Sequence, residues 1–385
     1  MLLSILVYSL LAIVLYLLAK MQVERYWNAR GILYEGKSPF WTLPVISSIL
    51  FFAVICGVRY NVGVDNVMYI DFYNALSGSG DTRDDFEIGY KVMSQIFSDM
   101  GMHFSVFMGF WAALQIGFVY FSQRRDQYLL PFIALFIVLG PMFLSWTNGL
   151  RQCVATCAFF CIVEYAIERK LLKYVVGILM CSLIHKSAII LLPCYFLFQK
   201  PAFPRNKLVL VGILLVCTFL GNNPTWVKIF NNLQELLIFL DYDNYASGME
   251  NLTENGLDSM AWGPGRLGTW LLYLMAVIYY PEFLRRYNIS KRFEIYFFCF
   301  FIGTCLFNLL ANTSHVFLRP VSYFMDFQLM VVPVCLYFLQ KEHRHVPFTI
   351  MSILAFFYTL YRSFRAFSLG FGEQSYDVYK FFFLQ

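Results

Sequence analysis

Apolar residues in this chain come in unbroken runs separated by short polar, mostly basic segments. Runs at 2–19, 42–58, 104–121, 129–146, 152–167, 207–221, 267–281, 294–311, 320–340 and 346–361 predict helices. Each is long enough to be weighed against a hydrocarbon core of about 30 Å, at a rise of about 1.5 Å per residue. The stretch 171–198, LLKYVVGILMCSLIHKSAIILLPCYFLF, is ambiguous. It reads either as one long span or as a hairpin turning at His185-Lys186-Ser187.

Composition makes the bilayer the natural solvent. Of 385 residues, 59% are hydrophobic and only 14% charged, against about 25% charged in a soluble domain. The opening run, MLLSILVYSLLAIVLYLLA, lacks a basic leader and a cleavage site, and reads as a retained span. The ten cysteines fall almost entirely in apolar runs and show no C-x-x-C or Cys/His metal spacing. Cys153, Cys157 and Cys161 share one helix face and read as small packing residues. No basic, aromatic-interleaved surface suggests nucleic acid, and no nucleotide-binding or hydrolase motif stands in a sensible context.

Charge then orients the spans. Segments 20–41, 122–128, 168–173, 199–207, 282–293 and 341–345 hold 18 of the 29 Lys and Arg, which marks them as cytoplasmic. Segments 168–173 and 199–207 then share a side, so the stretch between them crosses an even number of times and is a short helical hairpin. The expectation is an all-α polytopic integral membrane protein with about twelve crossings and both termini outside. It forms one membrane domain over 1–385 with no soluble domain. Two long outer segments, 59–103 and 222–266, carry seven and six Asp/Glu. Part of the second, WVKIFNNLQELLIFL, has amphipathic spacing suited to the interface.

Four cations remain at the outer ends of spans: Arg59, Arg151, Arg266 and Arg319. Boundary charge is expensive and tends to line a polar site, and arginine's planar fork suits phosphate oxygens. Together they predict a receptor for a multiply anionic group such as a pyrophosphate; singly, each could snorkel to headgroups. Asp65, six residues beyond Arg59, is the leading candidate base. Glu87 and His185 follow, the latter because histidine titrates near neutrality. Asp326, deep in its span, reads as a structural ion pair or a polar-cavity residue. TNGLRQ (147–152) joins two spans with almost no loop, placing Asn148, Arg151 and Gln152 at the outer surface.

These residues resemble a family. VRYNVGVDNVMYIDFY followed by DFEIGYKVMSQIF, NGLRQCVATCAFF, the HKS hairpin tip and a late FLRPVSYF look like the EpsG family, Wzy-like polymerases of bacterial exopolysaccharide, capsule and O-antigen. The match rests on Arg59, Asp65 and Tyr69 (R-x5-D-x3-Y), Glu87, Gly89 and Tyr90 (E-x-G-Y), Asn148, Arg151 and Gln152 (N-x2-R-Q), and His185 with Ser187 (H-x-S). Beyond residue 200 it is mostly topological, apart from Tyr242, Tyr245, Arg266 and Arg319. Val64 precedes Asp65 where the family more often has Thr.

The resemblance implies a fold similar to the multispanning, GT-C-like membrane glycosyltransferases. It also implies an inverting, metal-independent polymerase in the bacterial cytoplasmic membrane, with its site facing outside and no cofactor. Donor and acceptor would both be undecaprenyl-pyrophosphate-linked oligosaccharides, with a chain-length regulator and a flippase as companions in the pathway. Tyr69, Tyr90, Asn148, Gln152, Ser187, Tyr242 and Tyr245 would form the sugar-binding and polar shell. A lipid-linked oligosaccharide flippase, or a ligase using the same carrier, would share much of this sequence.

Overall fold

The computed structural model describes residues 2–26, 39–63, 65–76, 86–140, 142–199, 206–229, 262–286, 291–313, 315–341, 346–369 and 378–384. Its regular elements are helical. The first half of the chain runs through α1 (Leu2–Tyr26), α2 (Leu43–Gly57), α3 (Asn66–Ala75), α4 (Ile88–Asp99) and α5 (Phe104–Ser122). It continues as α6 (Leu130–Leu139), α7 (Phe143–Asn148), α8 (Leu150–Ile167), α9 (Leu171–Ile184) and α10 (Cys194–Gln199). The remainder forms α11 (Lys207–Gly221), α12 (Pro264–Arg286), α13 (Lys291–Leu310), α14 (His315–Met325), α15 (Gln328–Lys341) and α16 (Val346–Leu369).

Six stretches among the described residues are long and apolar enough to cross a membrane: α1, α5, α8, α12, α13 and Phe317–Lys341. Four shorter apolar helices, Leu43–Gly57, Gln127–Leu139, Leu171–Ile184 and Lys207–Gly221, accompany them. Their outer faces are oily. On α1, Leu6, Leu10, Ile13 and Leu17 are all at least half exposed, while Val7, Leu11 and Leu15 on the opposite side are buried. A continuous exposed apolar stripe would be a liability in water and is the surface expected against acyl chains. The protein is a polytopic all-α membrane protein.

The chain divides into two compact units, residues 1–200 with 336–385, and residues 201–335. In the first, α2 packs on α1 and α5, α1 on α6, α5 on α8, and α8 on α9. Polar side chains collect at one end of these helices. There Gln22 donates to Gln127 Oε1 (2.6 Å), Thr42 donates to Gln22, Arg124 pairs with Glu164, and Arg125 pairs with Glu168 at 3.1 Å. The opposite end carries Arg59. In the second unit, α13 packs on α14 and α11, and α12 lies against α11.

The hairpin reading of 171–198 agrees with the structure. Tyr174, near the start of α9, donates its hydroxyl to the Leu191 carbonyl at 2.6 Å, and its ring lies 5.4 Å from that of Tyr195. The chain therefore turns back at His185, returning through a 3-10 turn (186–191) and the short α10. The span read at 129–146 is instead two helices, because Gly140 is extended (ψ 171°) and ends α6. Proline disfavours a helical residue before it, and Pro141 follows Gly140 here.

Candidate active site

The site-like residues of the first unit gather at a corner, the turn from α7 into α8. Four segments converge there. The loop after α2 brings Arg59 and Asp65, the start of α4 brings Glu87, the first turn of α8 brings Arg151, and the hairpin tip brings His185.

Loop 58–66 is pinned to the corner by its backbone. Gly63 has φ +93°, a left-handed conformation costly for other residues, and a side chain there would press on the Thr147 carbonyl at 3.2 Å. The Asp65 amide donates to Asn148 Oδ1 at 2.8 Å, which ties the two ends of the resemblance's first and third motifs together. Asp65 itself is half-buried and stands at the N-cap of α3. The Arg59 guanidinium donates through Nη2 to the Thr147 carbonyl at 3.0 Å. Arg59 is only 4% exposed, its Nε has no hydrogen-bond partner, and no carboxylate among the described residues lies within ion-pair distance. A buried cation held by one neutral oxygen is incompletely compensated, so this position favours an anion.

On the other side of the corner, Glu87 is the hub. Its Oε2 pairs with Arg151 Nη1, its Oε1 accepts the Lys186 N–H at 3.0 Å, and His185 Nδ1 faces the same Oε1 at 3.2 Å, off the axis of an ideal hydrogen bond. Side-chain exposures of 7% for Glu87, 14% for His185 and 16% for Arg151 place all three under the surface. Burial alone would raise the Glu87 carboxyl. The His185 contact, the Arg151 charge and the Lys186 N–H outweigh it and hold the group down at about 2. Breaking a buried pair such as Glu87–Arg151 typically costs about 3–5 kcal/mol, because the surviving charge is stranded.

Aromatic rings form the floor. The Arg151 guanidinium lies 4.3 Å from the Phe86 centroid and 6.0 and 5.9 Å from those of Tyr69 and Tyr90. Such contacts orient a cation and contribute about 0.5–2 kcal/mol. Tyr90 stacks on Trp111 at 5.4 Å, and Tyr69 and Tyr90 are 3% and 0% exposed. Their rings thus face Arg151 and the hydrophobic cluster rather than solvent. Burial pushes the Tyr69 hydroxyl up to about 12, despite the neighbouring Arg151 charge. Gln152 and Ser187 are half-buried beside Arg151 and His185 in the chain.

In the second unit, Arg266 is half-buried in the first turn of α12, 4.6 Å from the Trp262 ring, whereas Arg319 on α14 is exposed. Asp326 sits in the turn between α14 and α15, 1% exposed and without an ion-pair partner among the described residues. The ion pair expected of it is thus not formed among the described residues. Tyr242, Tyr245 and most of segment 222–266 lie outside the described residues. Among the described residues, no group of three or more His, Cys, Asp or Glu could hold a metal ion.

A profile of the EpsG family matches residues 42–381. The chain belongs to the EpsG family. Comparison with curated proteins and with solved structures finds no match. Membership places this EpsG protein among membrane proteins with a polysaccharide-polymerase-like role. The matched region takes in the whole corner, from Arg59 to His185, and the first four residues of a segment that sequence reasoning did not single out. Residues 378–384 strap the end of α2: the Tyr60 amide donates to the Lys380 carbonyl (2.9 Å), the Phe382 amide to the Val58 carbonyl (3.1 Å), and the Tyr379 hydroxyl to the Ile55 carbonyl (2.6 Å). This fixes the backbone on either side of Arg59. Also unanticipated were the Thr147 carbonyl, the Lys186 amide and Phe86. Only Phe86 carried a signal, as an aromatic beside Glu87.

Proposed function

We propose that this EpsG protein is a polymerase that transfers a growing glycan from undecaprenyl pyrophosphate onto the non-reducing-end sugar of a lipid-linked repeat unit. The reaction would take place at the outer face of the bacterial cytoplasmic membrane. The observation that carries this reading is Arg59, a buried cation with an unpartnered Nε and one carbonyl acceptor, at the same corner as Arg151. Such a site is preorganised for the negative charge that grows on a departing pyrophosphate. Removing one fixed donor of this kind costs about 2.7–4 kcal/mol of transition-state stabilisation. The arginines would supply the positive charge that a divalent ion could otherwise provide. Attack by the acceptor hydroxyl on the far side of the anomeric carbon inverts it, and Asp65, Glu87 and His185 are the groups available to handle the proton.

The experiment is chain-length profiling of surface glycan in a deletion strain. The expected result is loss of long chains with a single repeat unit still displayed. Absence of that single unit would instead indicate a flippase, and normal polymer on the wrong acceptor a ligase. Arg59→Ala, Arg151→Ala and Asp65→Asn should each fail to restore long chains at normal protein level. If all three restore them, the corner is not the active site.

A further inference from the structure

Glu87 and His185, two of the groups at the corner that could accept the acceptor's proton, are separated by their surroundings. We infer that Glu87 is a positioning residue that sets the tautomer of His185, and that His185 Nε2 is the atom that takes the proton. This rests on the polymerase reading above.

Glu87 is fully engaged. One oxygen holds Arg151, while the other accepts the Lys186 N–H at 3.0 Å and faces His185 Nδ1 at 3.2 Å. Its carboxyl, held down near 2, is too weak a base for a sugar hydroxyl. A carboxylate against Nδ1 favours the proton on that nitrogen and leaves the lone pair on Nε2. Nε2 is buried and has no hydrogen-bond partner among the described residues. An unmatched buried acceptor is satisfied when a hydroxyl enters to donate to it. The charged group facing the ring is Glu87 from the start of α4, itself paired with Arg151 from α8. One carboxylate therefore sets both the cation for the leaving group and the base for the incoming one.

In the step, the acceptor O–H breaks and its proton passes to Nε2 as the oxygen bonds to the anomeric carbon. The bond from that carbon to the pyrophosphate oxygen breaks, and its electron pair leaves with the pyrophosphate. The imidazolium sits beside the Glu87 carboxylate until it releases the proton to water.

The test adds purified full-length protein to membranes of the deletion strain, whose own lipid-linked repeat units serve as donor and acceptor. If wild-type protein makes no polymer, the polymerase reading itself fails. If it does, His185→Ala should slow the rate by about 10²–10⁴-fold, and Glu87→Ala by a comparable factor. Glu87→Gln, whose amide oxygen still faces Nδ1–H and accepts the Lys186 N–H, should run at least about tenfold faster than Glu87→Ala. The double variant Glu87→Ala/His185→Ala should be slower than His185→Ala by much less than Glu87→Ala costs on its own, because Glu87 acts largely through His185 and only its hold on Arg151 is left to lose. If Glu87→Ala does not fold, Glu87→Gln combined with His185→Ala gives the same comparison. The inference is overturned if His185→Ala keeps more than about a tenth of the wild-type rate, if the two losses multiply, or if Gln at 87 is no better than Ala.

Discussion

Gly89 is the residue on which the corner's geometry can be tested most sharply. It lies in the first turn of α4, two residues after Glu87, where that helix meets the end of α9. A methyl group placed on Gly89 would lie 2.7 Å from the Leu183 carbonyl oxygen and 3.0 Å from the Leu183 carbonyl carbon. Both are backbone atoms and cannot rotate aside. Ordinary contact begins near 3.4 Å, so Gly89→Ala must part α4 from the hairpin tip by about 0.7 Å, a form of overpacking that costs about 1–3 kcal/mol.

Alanine's better helix propensity returns about 1 kcal/mol, so the net loss of stability is small and the protein should still be made. Function should suffer more than stability. If the separation is carried to Glu87, its 3.0 Å and 3.2 Å contacts to Lys186 and His185 lengthen to about 3.7 and 3.9 Å, beyond hydrogen-bonding distance. Misplacement on this scale can cost about 10²-fold in rate. The assay is surface-glycan chain length in the complemented deletion strain, with membrane protein level and a detergent melting curve measured alongside. Gly89→Ala should give normal protein with glycan reduced to short chains, and Gly89→Ser the same. Full-length polymer from Gly89→Ala would refute the claim that this close approach sets the Glu87–His185 contact.

Two further outcomes follow from the same contacts. Glu87 ionises at about 2 in the folded protein against an ordinary 4.5; its contribution to stability is therefore complete above pH 4.5 and fades as pH falls toward 2. Melting temperature between pH 3 and 7 should decline on the acid side in wild type and decline less in Glu87→Gln; equal slopes would show that the carboxylate is not so held. Tyr174→Phe removes the hydroxyl that closes the hairpin onto Leu191 and leaves a buried carbonyl unpaired, so it should cost about 1–3 kcal/mol in unfolding measurements. An unchanged melting temperature would show the hairpin to be held elsewhere.

The membrane character, the helical class and the hairpin could all be read from the sequence. Each depends on sums over local residues, because the bilayer acts like an external field that sorts apolar runs from basic loops one segment at a time. The hairpin is the clearest case. Loop charge at 168–173 and 199–207 demanded an even number of crossings, and Tyr174 is found closing that turn on Leu191. Even there, local sequence misread 129–146 as one span by passing over Gly140-Pro141. The candidate residues Arg59, Asp65, Glu87, Arg151 and His185 could likewise be named, as polar groups stranded at span ends. Their partnerships could not. Glu87 meets Arg151 across 64 positions and Lys186 across 99, while Tyr379 reaches Ile55 across 324. Those pairings depend on how closely non-adjacent helices approach, which at this corner rests on Gly63 against Thr147 and Gly89 against Leu183. Hydrophobicity and charge choose which segments enter the membrane and which end faces which side; only close packing between them decides which carboxylate holds which arginine.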